Sequence, residues 1–178
     1  ETNWTTPNAA YEDAARGFLA AILAPGSAFL AEAAAFVRRI GSAGAVNGLA
    51  QVLLKATTPG VPDFFQGTEF WDFSLVDPDN RRPVDFAARI EAAQADAAPA
   101  ALAASWQDGR VKQAVILRTL AARRERADVF AQGSYTPVSV TGPFAEHVVA
   151  FLREHAGQRV LVLAPRLPAA LLDGESLR

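Results

Sequence analysis

Residues 59–86, PGVPDFFQGTEFWDFSLVDPDNRRPVDF, form the most informative stretch of this chain. The stretch combines six carboxylates, two adjacent arginines and four prolines with large aromatic side chains. A solvated linker rarely carries residues such as Phe65 and Trp71, and a buried core rarely carries Arg81 and Arg82. Aromatic walls with convergent charged groups are typical of pockets that bind polar ligands such as sugars. The sequence therefore predicts that the functional site lies in this stretch.

The residues before this stretch are predicted to form three helices. The string Thr-Pro-Asn at 6–8 resembles a helix start, because it offers a hydroxyl cap followed by Pro at the first helical position. The Ala-rich run up to residue 23 continues that helix. Hydrophobic spacing predicts two more helices over 27–40 and 47–57. The glycines within 41–44 predict a break between them.

The residues that follow are predicted to contain one buried strand and two helices. Residues 61–65 are short, apolar and followed by Gln-Gly, which favours a buried strand with Phe64 and Phe65 in the core. Helices are predicted over 84–97, with Asp85 near the positive end, and over 111–126. The arginines of the second helix are predicted to form a solvated face near its negative end: Arg118, Arg123, Arg124 and Arg126.

The pattern changes after Gly133. Three short runs rich in Val, Leu and Phe lie at 135–140, 147–153 and 159–164, and turn-prone residues separate them. Such spacing predicts an antiparallel meander. We therefore expect a mostly helical region first and a small all-β module from about residue 131.

Composition limits the classes of function. The chain has 178 residues and a formal net charge of -2, so nothing favours nucleic acid or an anionic membrane as a partner. It lacks cysteine, which allows a reducing, cytoplasmic location, and has two histidines, which disfavours catalytic zinc. We expect no metal, no organic cofactor, no signal peptide and no membrane span. Without methionine, the chain is expected to be a piece of a longer polypeptide.

The stretch at 59–86 also resembles a known family. Its Pro-Gly-x-Pro element at 59–62, followed by Gln-Gly-x-Glu at 66–69, resembles the last barrel strand of alpha-amylase-type glycoside hydrolases. The continuation Trp-Asp at 71–72 and Ser-Leu-Val-Asp-Pro-Asp-Asn-Arg-Arg-Pro-Val-Asp at 74–85 resembles a narrower branch, the maltooligosyl trehalose synthases, or (1→4)-alpha-D-glucan 1-alpha-D-glucosylmutases. One departure is Phe65, where the family often has Tyr, which puts any polar role there in doubt.

The resemblance implies a fold and a domain division. The fold class is α+β: residues 1–130 would be the C-terminal part of a catalytic (β/α)8 barrel with one buried strand, followed at 131–178 by the start of an antiparallel β-sandwich domain. The implied reaction converts the reducing-end α-1,4 link of a maltooligosaccharide to an α,α-1,1 link. Its partners would be that substrate and the N-terminal part of the same polypeptide.

The resemblance also implies which residues act. A retaining reaction of this kind needs two carboxyl groups about 5 Å apart. In the family they lie on earlier barrel strands that find no match here, so no catalytic residue is assigned and the chain alone is expected to be inactive. We expect it instead to supply substrate-binding residues: Gln66, Glu69, Trp71, Asp77, Asp79, Asn80, Arg81 and Arg82.

Several alternatives stay open. Asp79 and Asn80 also suit a simple turn, and Gln66 and Glu69 suit loop fixing as well as ligand contact. Only one of the two adjacent arginines is expected to reach the cleft. His147 and His155 have no partner motif and are interpreted as structural or exposed. For the whole protein, the alternatives are an α-1,4-glucan hydrolase or transferase of the alpha-amylase family, or a non-catalytic α-glucan-binding module.

Overall fold

The computed structural model describes residues 2–95 and 97–172. Within them the chain is mainly helical, with one small sheet. The helices are α1 (Ala9–Ile22), α2 (Ala28–Thr57), α3 (Phe86–Gln94), α4 (Pro99–Ala104), α5 (Arg110–Glu125), α6 (Ala127–Gln132) and α7 (Ala169–Leu172). The strands are β1 (Ser134–Pro137), β2 (Val148–His155) and β3 (Gln158–Pro165), and 3-10 turns lie at Trp106–Asp108 and Ala145–His147. Cα packing divides the chain into two compact units, Glu1–Gly41 and Ser42–Arg178.

The first unit begins with a helix whose cap differs from the prediction. Helix α1 begins at Ala9, and the side chain of Asn8 accepts the N–H of Tyr11 at 3.2 Å. The predicted cap at Thr6 is wrong because the Asn3 side chain already accepts the N–H groups of Thr5 and Thr6 in a local turn. Because of that turn, the backbone becomes helical only after Pro7.

Helix α2 is continuous from Ala28 to Thr57, so the predicted break at 41–44 is wrong. Each glycine costs a helix only about 1 kcal/mol relative to alanine, and the surrounding alanines favour the helix. Gly48 also has a packing reason, because a Cβ added there would lie 3.3 Å from the Trp71 ring. A side chain at this position would separate the indole from the helix.

The predicted buried strand at 61–65 is also wrong. These residues are extended but unpaired, and Val61 and Phe65 are 96% and 56% exposed. A strand exists only where a neighbouring backbone accepts and donates its hydrogen bonds. Among the described residues, the sheet consists of β1, β2 and β3 and offers no partner to this segment. Phe64 is half-buried, with the ammonium of Lys55 4.4 Å from its ring centroid.

The later helices follow the predicted pattern more closely. Helix α3 begins at Phe86, and the side chain of Asp85 caps it by accepting the N–H of Ala88 at 3.0 Å. Helix α5 begins at Arg110, after Gly109 at φ +81°. A Cβ on Gly109 would lie 2.8 Å from the backbone N of Trp71, so the close approach as well as the backbone conformation requires glycine.

The predicted antiparallel meander is confirmed, with strand order β1-β2-β3. Phe151 lies opposite Val162, and Arg153 lies opposite Val160. Phe151 and Val162 are buried together with Val129 and Phe130 of α6, so this face of the sheet forms a core with the preceding helix. Helix and sheet therefore pack as one structure in this part of the chain.

Arg153 is the largest fully buried side chain in that core, with 1% exposure. No carboxylate neutralises it among the described residues. Instead its guanidinium donates to four backbone carbonyls at 2.9–3.0 Å: those of Ser134, Thr57, Phe130 and Gly133. Burial lowers the pKa of Arg153, and the nearby Arg123 lowers it further. The side chain joins β2 to the end of α2, 96 residues earlier.

Arg123 corrects the prediction of a wholly solvated arginine face on α5. It is half-buried and donates to the carbonyls of Ala56 at 2.9 Å and Gly60 at 3.0 Å. A cation there complements the negative end of the α2 dipole. Arg124 and Arg126 remain exposed, as predicted, and exposed Arg118 also donates to the carbonyl of Ala97 at 3.3 Å. The prediction missed Arg123 because its partners lie more than 60 residues away in sequence.

Candidate functional site

The segment between Gln66 and Asp85 folds around a cleft of about 280 Å³, here called the Arg82 cleft. Its lining combines charged and polar side chains with the aromatic side chains of Phe65 and Trp71. The residues that line it are Phe65, Gln66, Gly67, Trp71, Asp72, Ser74, Asn80, Arg82, Pro83, Val84, Asp85 and Arg89. Four predicted substrate-binding residues are therefore brought together: Gln66, Trp71, Asn80 and Arg82.

The two adjacent arginines are held by different aspartates. Arg82 lines the cleft and donates to Asp79, whose other oxygen accepts the N–H of Leu75 at 2.7 Å. Arg81 forms a forked pair with Asp77 at 2.6 and 2.7 Å and is not among the residues lining this cleft. Both pairs are short-range in sequence, so the loop fixes its own arginines.

The Asp79 carboxylate is stabilised in its charged form. The N–H of Leu75 lowers its pKa most, and the hydrogen bond from Arg82 lowers it further. Asp79 thus uses one oxygen to fix the loop backbone and the other to orient Arg82. Asp79 therefore stabilises the turn, which is one of the interpretations that the sequence left open. It also positions Arg82 in the cleft.

Asp72 stands at the mouth of the same cleft. Its Oδ1 accepts the hydroxyl of Ser74 at 2.6 Å and the N–H of Ser74 at 2.9 Å. These two bonds, the hydroxyl's first, lower the pKa of Asp72. The side chain is exposed, so it offers an ionised acceptor to a ligand hydroxyl.

Arg89 also lines the cleft and was not predicted as a site residue. Its Nε donates to Glu69 at 2.8 Å, its Nη2 donates to the carbonyl of Gly67, and its guanidinium lies 4.8 Å from the Phe70 ring centroid. Both partners of the Arg89–Glu69 pair are mostly buried. Glu69 is therefore engaged in fixing the loop to α3 and is not a lining residue of the cleft. The sequence indicated the Arg89–Glu69 contact only through the opposite charges of two residues that lie 20 positions apart.

Trp71 is fixed at the centre of the segment. Its indole N–H donates to the carbonyl of Trp106 at 2.6 Å, and the two rings pack edge to face with centroids 6.3 Å apart. Gly48 and Gly109 allow the helices to approach its ring and backbone closely. Because its polar atom is already satisfied, Trp71 presents an oriented apolar wall to a ligand.

Lys112 supports the same loop from α5. Its ammonium donates to the carbonyls of Thr68 at 2.7 Å and Phe70 at 3.0 Å and lies 5.7 Å from the Trp71 ring centroid. Burial lowers the pKa of Lys112, and the Asp72 carboxylate opposes that change. No sequence pattern indicated this residue, because its partners are backbone atoms about 40 positions away.

The two histidines do not line the Arg82 cleft. His147 is buried, and its Nδ1 lies 3.2 Å from the carbonyl oxygen of Leu167, which agrees with its interpretation as structural. His155 is half-buried and is the last residue of β2, where it pairs with Gln158 of β3. Within residues 2–95 and 97–172, no group of three His, Asp or Glu side chains could hold a metal ion. No helix there is long and apolar enough to cross a membrane.

Known proteins similar to this chain are trehalose-forming synthases. Over 165 residues, 93% of the chain, it is 41% identical to a maltooligosyl trehalose synthase of Mycobacterium tuberculosis. It superposes with a TM-score of 0.76 and 39% identity on the maltooligosyltrehalose synthase of Arthrobacter ramosus, covering 98% of the chain. A crystal structure of another maltooligosyl trehalose synthase gives a TM-score of 0.81 at 30% identity over 92% of the chain. No family model matches.

These matches concern one part of larger proteins. The chain spans 19% of the curated relative and 22% of the Arthrobacter structure. The resemblance predicted from residues 59–85 is confirmed across nearly the whole chain, as a similarity to a fragment of these synthases.

Proposed function

We propose that this chain is part of an enzyme that isomerises the reducing-end α-1,4 link of maltooligosaccharides to an α,α-1,1 link. Its contribution is one wall of the substrate cleft, without the catalytic carboxylates. The observation that carries this proposal is the Arg82 cleft, which is lined by both an aspartate-anchored arginine and the fixed indole of Trp71. The same segment lies within the region similar to the synthases.

The chemistry of the cleft suits a sugar. Arg82 offers several N–H donors in a fixed plane, whereas Asp72 and Asn80 offer oxygen acceptors. Vicinal hydroxyl groups of a glucosyl unit need both kinds of partner, and its apolar ring face needs an aromatic wall. Asp79 positions Arg82 without lining the cleft, and Arg81 with Asp77 stabilises the loop beside it.

Exposed apolar side chains indicate a surface that the rest of the polypeptide would cover. Val61, in the segment predicted as a barrel strand, and Phe73, Leu75 and Val76, which follow that segment, are each 78% exposed or more. A free surface of this kind is usually covered. We propose that residues 1–130 complete a (β/α)8 barrel with the N-terminal part of the same protein. Residues 131–178 then begin a β-sandwich domain.

The test is incubation of maltopentaose with the full-length protein, following reducing ends and free glucose. We expect reducing ends to disappear with little glucose released. Release of glucose or maltose would instead identify a hydrolase or transferase of the alpha-amylase type. Binding without any change in the sugar would identify a glucan-binding module. The cytoplasmic location and the independence from metals and cofactors stay predictions, which cell fractionation and dialysis against a chelator test.

A matched pair of variants tests the cleft itself. Arg82→Ala is expected to raise KM or lower kcat/KM for maltopentaose at least tenfold, because an arginine hydrogen-bonded to a sugar contributes about 1.5–3 kcal/mol. Arg81→Ala is the control, since its guanidinium pairs with Asp77 outside the cleft. Equal effects of the two variants would contradict the assignment of Arg82.

A further inference from the structure

One short segment, residues 106–112, touches the backbone of the loop that carries the Arg82 cleft. The segment runs from the 3-10 turn at Trp106–Asp108 through Gly109 into the first turn of α5. Its residues, all of which the structure describes, are not among those that line the Arg82 cleft. They lie 35–44 positions beyond the loop residues that they touch, so the folded chain alone brings the two together.

The start of this segment fixes Trp71, which lines the cleft together with Asp72. The carbonyl of Trp106 accepts the indole N–H of Trp71 at 2.6 Å. Gly109 approaches the loop so closely that an added Cβ would lie 2.8 Å from the backbone N of Trp71. The position of the indole therefore depends on where the 106–112 segment lies.

The end of the segment supplies Lys112, which is half-buried. Its ammonium donates to the carbonyls of Thr68 at 2.7 Å and Phe70 at 3.0 Å, on either side of Glu69. Hydrogen bonds from a charged donor are stronger than those from a neutral one. Lys112 thus holds the backbone directly before Trp71 in one place.

Arg123 makes similar contacts elsewhere on the same helix. It is also half-buried and donates to two backbone carbonyls, at the end of α2 and just beyond it. Its guanidinium lies 5.1 Å from the Phe130 ring centroid, as the Lys112 ammonium lies 5.7 Å from that of Trp71. The two cations differ in what they hold, because only Lys112 holds the loop of the cleft.

We propose that Lys112 is a positioning residue for substrate binding. It holds the loop backbone so that Trp71 and Asp72 stand where the Arg82 cleft requires them, and it acts on the sugar through those two residues. A misplacement of contact groups by about 1 Å is enough to weaken binding severalfold, even when the altered residue lies outside the site. This inference rests on the proposed function and adds a residue that no sugar-binding motif indicates.

Lys112→Met and Arg123→Met, both made in the full-length protein, test the inference. Each variant removes a cation from α5 together with its carbonyl contacts and keeps an apolar stem. We expect Lys112→Met to raise KM for maltopentaose about fivefold with kcat within a factor of two, because binding is what is lost. Arg123→Met should leave KM within a factor of two. A purely structural loss reduces the amount of active enzyme, which lowers kcat and leaves KM unchanged.

A pair of glycine variants separates positioning from direct contact with the sugar. Gly109→Ala introduces no polar group, but its Cβ presses on the backbone of Trp71. Gly142→Ala is the control, because Gly142 also has a positive φ and has no atom within 4 Å of an added Cβ. We expect Gly109→Ala to raise KM about threefold and Gly142→Ala to leave it unchanged. An unchanged KM in Gly109→Ala would overturn the inference, whether or not Lys112→Met folds, because the loop position would then not determine binding.

A further measurement does not depend on the reaction. Maltotriitol, the borohydride-reduced sugar, lacks the reducing end and cannot be isomerised, so calorimetry reports binding alone. We expect Lys112→Met to bind maltotriitol about fivefold more weakly than the wild type, and Arg123→Met to bind it equally well. If the wild-type protein fails to isomerise maltopentaose but this difference persists, the proposed function fails and the positioning role stands. If the wild type isomerises maltopentaose but the two variants bind maltotriitol equally, the proposed function stands and the positioning role is refuted.

Discussion

Replacing Arg153 with methionine is expected to loosen the junction between the sheet and α2. The variant keeps an apolar stem of similar length but removes the guanidinium from its four carbonyl partners. At 1% exposure, water cannot readily replace those hydrogen bonds. The change therefore tests whether a buried cation without a carboxylate stabilises the fold.

The magnitude follows from two opposing terms. Each buried carbonyl left without a donor costs about 1–3 kcal/mol, so four of them cost about 4–12 kcal/mol in total. Removing the buried charge recovers a desolvation penalty of several kcal/mol. Subtracting that penalty leaves an expected net loss of about 3–5 kcal/mol.

Native-state hydrogen exchange of the full-length protein measures this loss locally. Peptides covering residues 129–165 report the free energy of opening of α6 and the sheet. A loss of 3 kcal/mol would accelerate their exchange by about two orders of magnitude. Arg159→Met is the control, because Arg159 lies on the same sheet but is 68% exposed and pairs with Glu154. It should lose less than about 1 kcal/mol.

Two results would refute the reasoning about Arg153. Exchange within threefold of the Arg159→Met control would mean that the carbonyl contacts contribute no net stability. A full rescue by Arg153→Lys would mean that charge alone matters, because a lysine offers three donors from one point and cannot span four carbonyls.

Two further predictions concern the loop that carries the site. Gly109→Ala and Gly142→Ala both force alanine into a positive φ, at +81° and +109°, but only the first meets neighbouring atoms, so it should lose about 1–3 kcal/mol more in urea unfolding. Equal losses would contradict the close packing described here. Because hydrogen bonds lower the pKa of Asp79 in the folded state, its anchoring of Arg82 is intact above the ordinary carboxyl pKa and is lost as pH falls through the lowered one. Maltotriitol binding should therefore weaken in that acid range in wild type, whereas Asp79→Asn should bind weakly at every pH and lack this step.

The sequence predicted the parts of the fold that depend on neighbouring residues. The β-meander was recognisable because alternation and turn residues lie within about 30 positions, and the cap of α3 because Asp85 sits directly before its helix. The break at 41–44 was misplaced because glycine propensity is weak against a long run of alanines. The strand at 61–65 failed because pairing depends on partners absent from the described residues.

In the site, too, the sequence did not predict contacts between residues that lie far apart in the chain. The loop was recognisable from its aromatic and charged residues, but the Asp79–Arg82 pair was not predicted, although the two residues are only three positions apart. Arg89 and Lys112 escaped prediction because they act on backbone carbonyls that only the folded chain brings near. Which arginine faces the cleft also depended on the loop's path, which composition does not specify.

The carbonyls at the end of α2 limit how this protein can be divided. Arg153 reaches the carbonyl of Thr57 from a strand that follows it by 96 residues. A shortened chain that ended before Ser134 would keep every helix of the site yet leave that carbonyl, and those of Phe130 and Gly133, without their common donor. The sheet is therefore not a removable appendage: exchanging it between related proteins would succeed only where the incoming strand supplies an arginine at the same register.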